Sequence, residues 1–233
     1  MTGWPGTRQG LEDLQRRLAA EEPEPWLPPA DGRMTIGAVF AAFSTRADRA
    51  PVERVWVAAV AGGRRSVITD EVGVPYEPGY LALRAGAALE RAIRGLDEIP
   101  DVLLVDATGR DHPRGAGLAL HLGAVIGVPT VGVTDRPLVA EPDTEGLLVL
   151  DGREVGRAVV TRAGARPVFA HAAWKTDVDV AEAVVLAAAG RARTPEPLRR
   201  ARFLARARRA RDEGRLPPGW RMDGLAEPRF PAR

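Results

Sequence analysis

The sequence predicts an α/β domain of three layers, in which a mixed β-sheet lies between two layers of helices. Two observations support this fold class. Apolar strands come first along the chain and are followed by alternating strands and helices, an order typical of sheets that helices cover on both faces. The second observation is residues 102–106, an apolar run that ends in Asp106, as expected of a central strand buried on both sides.

The individual elements follow from the spacing of apolar residues. The lead-in at residues 1–33 is polar and proline-rich, with one amphipathic helix predicted at about residues 7–20. Apolar runs or alternation predict strands at residues 34–43, 52–61, 66–69, 102–106, 129–133, 147–150, 154–161 and 167–171. Helical spacing predicts later helices at residues 79–96, 115–126, 178–190 and 197–211, the last of them strongly basic. Gly62 and Gly63 predict a hairpin turn between the second and third strands.

Length and composition are those of one large domain with tails. The chain has 233 residues, 45% of them hydrophobic, which is enough for a substantial core. We expect the domain proper to cover residues 34–212, after the lead-in of residues 1–33. Residues 213–233 are rich in proline and arginine, a composition that predicts a loose tail.

The charge balance does not by itself identify a partner. The formal net charge is only +2, Lys175 is the sole lysine, and arginine is concentrated in residues 191–221. This concentration reflects either a codon preference for arginine or a set of guanidinium groups that contact phosphates. No apolar run reaches the length of a membrane span and the N-terminus lacks a signal-peptide pattern, so we expect a cytoplasmic protein without a membrane partner.

The residue types exclude several classes of site. The chain has no cysteine, which excludes disulfides, thiolate metal sites and a cysteine nucleophile. Its three histidines and scattered acids do not have the spacing of a zinc site. The sequence also contains no Walker loop, no glycine-rich dinucleotide turn after a strand and no serine elbow.

The segment that follows the third predicted strand is the most informative part of the chain. Pro75 and Pro78 flank Tyr76, which fixes the backbone and predicts a stiff, exposed turn before a helix. A stiff turn with an aromatic tip is able to enter a duplex and hold a base out of the stack, and we call residues 75–81 the wedge. The alternative is an ordinary proline-rich loop with Tyr76 packed on the protein surface.

Candidate catalytic residues follow the central strands. Polar residues at the carboxyl ends of such strands usually belong to the site of an α/β protein, which singles out Asp106. His112, a few residues later, is a candidate general base expected to titrate near neutral pH. Asp135, close to the end of the next strand, is the second candidate carboxylate.

Four motifs, in their order and spacing, resemble the endonuclease V family over about residues 34–212. They are Pro75-Tyr76-Glu77-Pro78-Gly79, then Asp106 with Gly109, His112-Pro113-Arg114 and Gly117, then residues 127–133, and finally Pro195-Glu196-Pro197-Leu198-Arg199. The resemblance implies a ribonuclease-H-like three-layer fold. It also implies a DNA-repair family of magnesium-dependent hydrolases that cut nucleic acid beside deoxyinosine, with DNA or RNA as the partner.

The chain departs from the family at most of the catalytic positions. By resemblance Asp106 corresponds to a magnesium ligand, but a nuclease needs two or more carboxylates to hold that ion. The replacements are Phe40 for an Asp, Ala85 for a Glu, Asp135 for a Lys, Trp174 for a His, Ala107 for a Gly and Thr108 for a His. The resemblance therefore implies an endonuclease V-like protein that binds nucleic acid, with metal-dependent cleavage lost or strongly impaired.

The candidate site has a catalytic part and a binding part. The candidate catalytic residues are Asp106, His112 and Asp135, with Asp106 as the candidate magnesium ligand. The candidate nucleic-acid-binding residues come from the wedge, from the loop after Asp106 and from basic positions near them. They are Pro75, Tyr76, Pro78, Gly79, Tyr80, Leu81, Arg84, Gly109, Arg114, Arg136 and Lys175.

Alternative functions stay open at this point. The cleft could serve a repurposed enzyme that acts on a small molecule through Asp106, Asp111, His112, Asp135 and Trp174. The protein could instead be an active endonuclease whose metal site has moved to Asp106 and Asp135. A purely structural scaffold is a further alternative that no residue specifically favours, and the sequence predicts no oligomeric state.

Overall fold

The computed structural model describes residues 3–44 and 53–216. Within them the chain forms eight strands and five helices, in the predicted order. The strands are β1 (Ile36–Phe43), β2 (Glu53–Ala61), β3 (Arg64–Val72), β4 (Val102–Val105), β5 (Thr130–Thr134), β6 (Leu147–Leu150), β7 (Arg153–Val159) and β8 (Val168–Ala172). The helices are α1 (Arg8–Ala20), α2 (Leu81–Arg94), α3 (Leu118–Ile126), α4 (Val178–Ala187) and α5 (Glu196–Asp212). None of these helices has the length and apolar character that a membrane crossing needs.

The eight strands form one mixed sheet, in the order β3-β2-β1-β4-β5-β8-β7-β6. The central strands β1, β4 and β5 run parallel to one another. Antiparallel strands extend the sheet on both sides, with the predicted turn at Gly62 and Gly63 joining β2 to β3. The predicted mixed sheet is confirmed.

Alternate side chains along the strands enter two separate cores, one on each face of the sheet. Val39 and Leu103 pack with α1, α2 and α3, whereas Phe40 and Leu104 pack with α4 and α5. Because successive side chains of a strand point to opposite faces, a strand covered on both sides is apolar along its whole length. The predicted three-layer arrangement is therefore confirmed, and α1 of the lead-in contributes Leu11 to the first core.

The register of the parallel strands places the candidate site at one edge of the sheet. Val39 of β1 pairs with Val105 of β4, which pairs with Gly132 of β5. Phe40 is the next residue of β1 and Asp106 directly follows β4, and both face α5. The carboxyl ends of the parallel strands thus meet where the sequence predicts the catalytic residues.

Two helices begin later than predicted, for local reasons. α2 begins at Leu81 because Gly79 makes a turn before it with a φ of 82°. α3 begins at Leu118 because Gly115 turns the chain with a φ of 68°. The start of the second predicted strand at residue 52 and the tail from residue 217 onward lie outside the described residues.

Candidate functional site

The wedge is an exposed turn between β3 and α2. Tyr76 stands at its tip with 68% of its surface exposed, and Pro75 and Pro78 are exposed beside it. The left-handed conformation of Gly79, with its φ of 82°, favours glycine because a Cβ is strained there. Tyr76 therefore projects from the protein surface, as the tip of a wedge must.

Arg84 is buried behind the wedge and supports it instead of facing solvent. Its guanidinium is buried, donates to the Val74 carbonyl at 2.7 Å and forms an ion pair with Glu53. The same group stacks 4.7 Å from the ring centre of Phe43 and 5.8 Å from that of Tyr76. The sequence predicts that Arg84 contacts nucleic acid. In the structure Arg84 supports the wedge instead.

Arg114 supports the other end of the wedge. Its Nη2 donates to the Gly79 carbonyl at 2.7 Å and its Nε donates to Gln15 of α1 at 2.6 Å. The guanidinium also covers the Tyr80 ring at 4.6 Å, with Arg8 at 4.8 Å from the same ring centre. Arg114 and Tyr80, both predicted to contact nucleic acid, are therefore engaged inside the protein.

His112 is buried beneath the wedge and does not have the properties of a general base. Its Nδ1 accepts the backbone N–H of Arg114 at 3.2 Å, which leaves Nε2 protonated to donate to the Gly79 carbonyl at 3.3 Å. Burial lowers the pKa of His112 to about 4, and the charge of Arg114 acts in the same direction. The expectation of titration near neutral pH is wrong, because this imidazole is neutral and has no free lone pair at pH 7.

A pocket of about 220 Å³ opens behind the wedge, between it and the ends of β4 and β5. Its walls are mostly apolar, with Thr108 and Thr134 adding hydroxyl groups. Arg136 is exposed and adds a guanidinium. The lining residues are Gln15, Tyr76, Glu77, Pro78, Gly79, Leu81, Ala82, Ala107, Thr108, His112, Leu118, Thr134, Arg136, Pro137 and Leu138. The wedge residues and Arg136, predicted separately, thus meet at one cavity.

Asp111 fixes the far wall of this pocket. Its fully buried carboxylate accepts the backbone N–H groups of residues 138, 139 and 140 at 2.7, 3.0 and 2.9 Å. His171 lies behind it, with Nδ1 3.7 Å from the carboxylate and Nε2 2.7 Å from the Thr134 hydroxyl. Burial lowers the pKa of His171 to about 4, although the charge of Asp111 opposes that shift. Asp111 therefore shapes the pocket wall and does not offer a free carboxylate to a ligand.

Asp106 meets an arginine at the edge of the sheet. Its Oδ1 accepts Nη2 of Arg202 from α5 at 2.8 Å. Burial raises the pKa of Asp106, while the charges of Arg202 and Arg206 oppose the rise. Both guanidinium groups lie over the Phe40 ring, 5.6 Å and 5.4 Å from its centre. A positive charge thus sits on the carboxylate that the resemblance assigns to a metal.

These residues do not fit a magnesium ion. Asp135, the other candidate carboxylate, is exposed and pairs with Arg193 at 2.6 Å. Magnesium in nucleases is held by several oxygen ligands, usually including more than one carboxylate. In the described parts of the chain, no three His, Cys, Asp or Glu side chains converge as a metal site. Asp106 and Asp135 are neighbours, but each carboxylate has its own guanidinium partner.

Three predicted or replaced positions lie away from this edge or inside the core. The Trp174 carbonyl accepts the N–H of Thr130 at 3.0 Å, which is the start of β5, whereas Asp135 follows its end. Trp174 and Lys175 are therefore at the opposite edge of the sheet from the predicted site. Ala85, a residue of α2, is buried in the core on the face of the sheet opposite to that of Phe40.

Gly109 has a structural role in the loop after Asp106. A Cβ at this position would collide with the carbonyl of Ala172 at the end of β8. The Gly109 carbonyl accepts the N–H of Gly117 at 2.7 Å, which closes the loop before α3. Glycine at this position lets the loop approach β8 closely, so its predicted contact with nucleic acid has no support from its surroundings.

No pattern in the sequence singles out Arg202 and Arg206. They are one helical turn apart on α5 and therefore share a face of that helix. The available signal was Asp106 itself, because a lone acid at the end of a buried strand needs a compensating cation. The sequence shows that the last helix is basic, but it does not indicate which of its arginines faces the sheet.

The sheet order, the helices on both faces and the acid at the end of β4 define a ribonuclease-H-like α/β protein. The Endonuclease V family profile matches residues 22–203, and the chain belongs to this family. The family and the fold suggested by the motifs are therefore both confirmed.

Relatives of known name agree with this assignment. Endonuclease V of Streptomyces avermitilis is 34% identical over 217 residues, which span 88% of this chain and 93% of that protein. Its crystal structure matches with a TM-score of 0.77 at 32% identity, covering 93% of this chain and 98% of that one. Endonuclease V of Methanopyrus kandleri is 43% identical over 157 residues, which span 64% of this chain and 68% of that protein.

A more distant relative shares the fold. Ciona intestinalis endonuclease V was crystallised in complex with a 24mer DNA containing an inosine followed by a ribo-adenosine. It matches with a TM-score of 0.72 at 16% identity, covering 88% of this chain and 98% of that one.

Proposed function

We propose that this endonuclease V-family protein binds inosine-containing or distorted DNA or RNA and has lost metal-dependent cleavage. The observation that carries the proposal is the ion pair between Asp106 and Arg202 beside Phe40. It lies at the edge of the sheet where the resemblance implies a metal ligand, and the chain keeps the exposed wedge with a pocket behind it.

The binding half of the proposal rests on the pocket and the wedge. A base displaced from a strand needs a cavity, an aromatic or apolar surface to stack on and a cation near its phosphates. The pocket behind Tyr76 provides apolar walls, and Arg136 provides an exposed cation. The Ciona relative, crystallised with inosine-containing DNA, shares this fold.

The size of the pocket favours a single base over a small-molecule substrate. Its volume of about 220 Å³ is below the range of roughly 300–1,000 Å³ that is usual for small-molecule sites. Asp111 and His112 belong to the supports of the pocket, and Trp174 lies at the other edge of the sheet. No observation favours a repurposed enzyme.

The loss of cleavage follows from the charges at Asp106. A guanidinium holds a phosphate but does not lower the pKa of a bound water as a metal ion does. His112 has both ring nitrogens engaged and does not replace the metal as an activator of water. We therefore expect the protein to bind its nucleic acid and leave the phosphodiester intact.

The test compares binding and cutting on the same oligonucleotides. Fluorescein-labelled DNA and RNA with one inosine, each with an inosine-free control strand, are incubated with the full-length protein in EDTA, Mg²⁺ or Mn²⁺. We expect tighter binding of the inosine strands in all three conditions and no cleavage above background. The S. avermitilis endonuclease V, run in parallel, serves as the positive control for cutting.

Two outcomes would overturn the proposal. Cleavage in Mg²⁺ at a rate comparable to that of the S. avermitilis enzyme, abolished by Asp106→Ala, would show that a metal site persists. A parallel loss with Asp135→Ala would place that site between the two carboxylates. Equal affinity for inosine-containing and inosine-free strands would remove the binding half of the proposal.

A further inference from the structure

Arg206 is an exposed cation beside the position of the lost metal site. Its guanidinium lies 5.4 Å from the centre of the Phe40 ring, next to that of Arg202 at 5.6 Å. Contact with an aromatic face orients a guanidinium plane while its N–H groups stay available for planar, bidentate recognition of an anion. Phe40, which replaces a metal-binding Asp by resemblance, thus serves as a platform for two arginines.

The partners of these arginines differ. Arg202 donates to Asp106 at 2.8 Å and contacts the Thr194 hydroxyl at 3.4 Å. The ion pairs of the described residues include none for Arg206. Asp135 gives no compensation, because Arg193 is its partner at 2.6 Å.

The local charge is therefore positive and incompletely neutralised. Asp106 and Asp135, whose charges act on each other, are met by three guanidinium groups, those of Arg193, Arg202 and Arg206. A phosphodiester carries one negative charge and accepts two parallel N–H donors from one guanidinium. The excess positive charge at this edge of the sheet matches such a group.

From these contacts we infer that Arg206, with Arg202 and the Phe40 ring, forms a metal-free clamp for a backbone phosphate of the bound nucleic acid. The inference rests on the proposed function and adds a second contact point, separate from the base pocket. Asp106 has a positioning role in this clamp, because its carboxylate fixes Arg202 against the ring. The clamp supplies affinity without chemistry, since guanidinium groups do not activate water.

The first test compares two charge-neutralising variants of the same helix. Arg206→Gln removes the clamp cation, and Arg211→Gln removes an exposed arginine five residues further along α5. Affinities for inosine-containing and inosine-free strands are measured by fluorescence anisotropy in EDTA at several salt concentrations. We expect Arg206→Gln to weaken both affinities by about fivefold to tenfold and to reduce the salt slope by about one. Arg211→Gln is expected to change them by less than about twofold.

The results separate the clamp from the proposed function. Equal effects of Arg206→Gln and Arg211→Gln, with the inosine preference intact, would overturn the clamp and leave the proposed function standing. Loss of the inosine preference together with a selective effect of Arg206→Gln would overturn the proposed recognition of inosine and leave the clamp standing. A strict need for Mg²⁺ in binding would also overturn the clamp.

A second measurement tests phosphate binding at the clamp without a nucleic-acid ligand. Inorganic phosphate is titrated into the ¹⁵N-labelled protein, and the Nε–Hε signals of the arginines are followed by NMR. We expect saturable shifts for Arg202 and Arg206 that disappear in Arg206→Gln and persist in Arg211→Gln. Unchanged signals for both residues would overturn the clamp, whatever the oligonucleotide results.

Discussion

Arginines act differently on the two sides of this site. On the wedge side, Arg84 and Arg114 are turned inward, where their donors meet the carbonyls of Val74 and Gly79. On the Asp106 side, Arg202 and Arg206 lie on an aromatic ring and bring positive charge to the edge of the sheet. The wedge arginines support an exposed turn, whereas those of α5 place guanidinium groups beside Asp106 and the Phe40 ring. The comparison shows that one residue type supports an exposed turn on one side of the site and brings positive charge beside Asp106 on the other.

The two sides also respond to pH in opposite directions. On the wedge side, burial keeps His112 neutral, so protonation is unfavourable to the folded state. On the other side, burial raises the pKa of Asp106, so protonation of that carboxyl is favourable to the folded state. Lowering the pH therefore reduces the stability that the wedge side contributes and removes the cost of a buried charge on the Asp106 side.

The largest expected effect is on the wedge side, at the pocket wall. Asp111→Ala removes three hydrogen bonds to a buried carboxylate, each worth roughly 1.5 kcal/mol. We expect the free energy of unfolding, measured with urea at pH 7, to fall by about 4.5 kcal/mol. Asp143→Ala is the matched control, since Asp143 accepts two backbone N–H groups in an exposed turn, and its cost is expected below about 1 kcal/mol. Similar small losses for both variants would show that Asp111 does not hold the wall.

The next effect is the acid response of the wedge side. The pKa of His112 is lowered from 6.5 to about 4, so its neutral form stabilises the fold above pH 6.5 and this stability is lost as the pH falls toward 4. The loss for this one residue is about 3 kcal/mol. Urea unfolding at pH 7, 6, 5 and 4 should show a shallower decline for His112→Gln than for the natural protein. Parallel curves for the two proteins would contradict the burial of a neutral imidazole here.

A smaller effect is expected on the Asp106 side. Arg202→Gln leaves a partly buried carboxylate without its cation, and we expect a loss of about 2 kcal/mol at pH 7. The pKa of Asp106, already raised by burial, rises further without Arg202, so the loss should shrink as the pH falls from 7 to 5. Arg208→Gln is the control, because Arg208 is more exposed than Arg202 and its partner Asp212 keeps the Trp56 indole N–H as a donor. The same loss at both pH values would mean that Arg202 contributes packing rather than charge.

The smallest expected effect concerns the tip of the wedge. Tyr76→Ala should weaken binding of inosine-containing strands in EDTA by about tenfold, the size of one stacked base. The stability of the protein should not change, because Tyr76 is 68% exposed. Tyr76→Phe keeps the ring and should bind as the natural protein does. Equal affinities of all three proteins would show that the wedge tip does not touch the nucleic acid.

Much of the fold was predictable because it depends on local patterns. Apolar periodicity predicted the order of all the elements, and the prolines beside Tyr76 predicted an exposed turn. The directions of the arginine side chains were not predictable, because Arg84 and Arg114 turn toward carbonyls that only the folded chain brings near.

Lys175 lies away from the other predicted site residues for a different reason. β8 runs antiparallel to β5, so the residues after β8 lie at the start of β5 and away from Asp106. The sequence predicted β8 without its direction. Likewise, the sequence shows Phe40 and Ala85 where the resemblance implies carboxylates, but the pairing of Arg202 with Asp106 depends on which face of α5 meets the sheet.

The pair of Asp106 and Arg202 has an evolutionary consequence. A carboxylate restored at Phe40 would face two guanidinium groups, which would neutralise it before any ion binds. Replacing Arg202 first would strand Asp106 without a partner and weaken the fold. Each single substitution toward a second carboxylate at this edge of the sheet is thus neutral or harmful on its own. If cleavage is lost as we propose, the ion pair of Asp106 and Arg202 makes that loss hard to reverse by single substitutions.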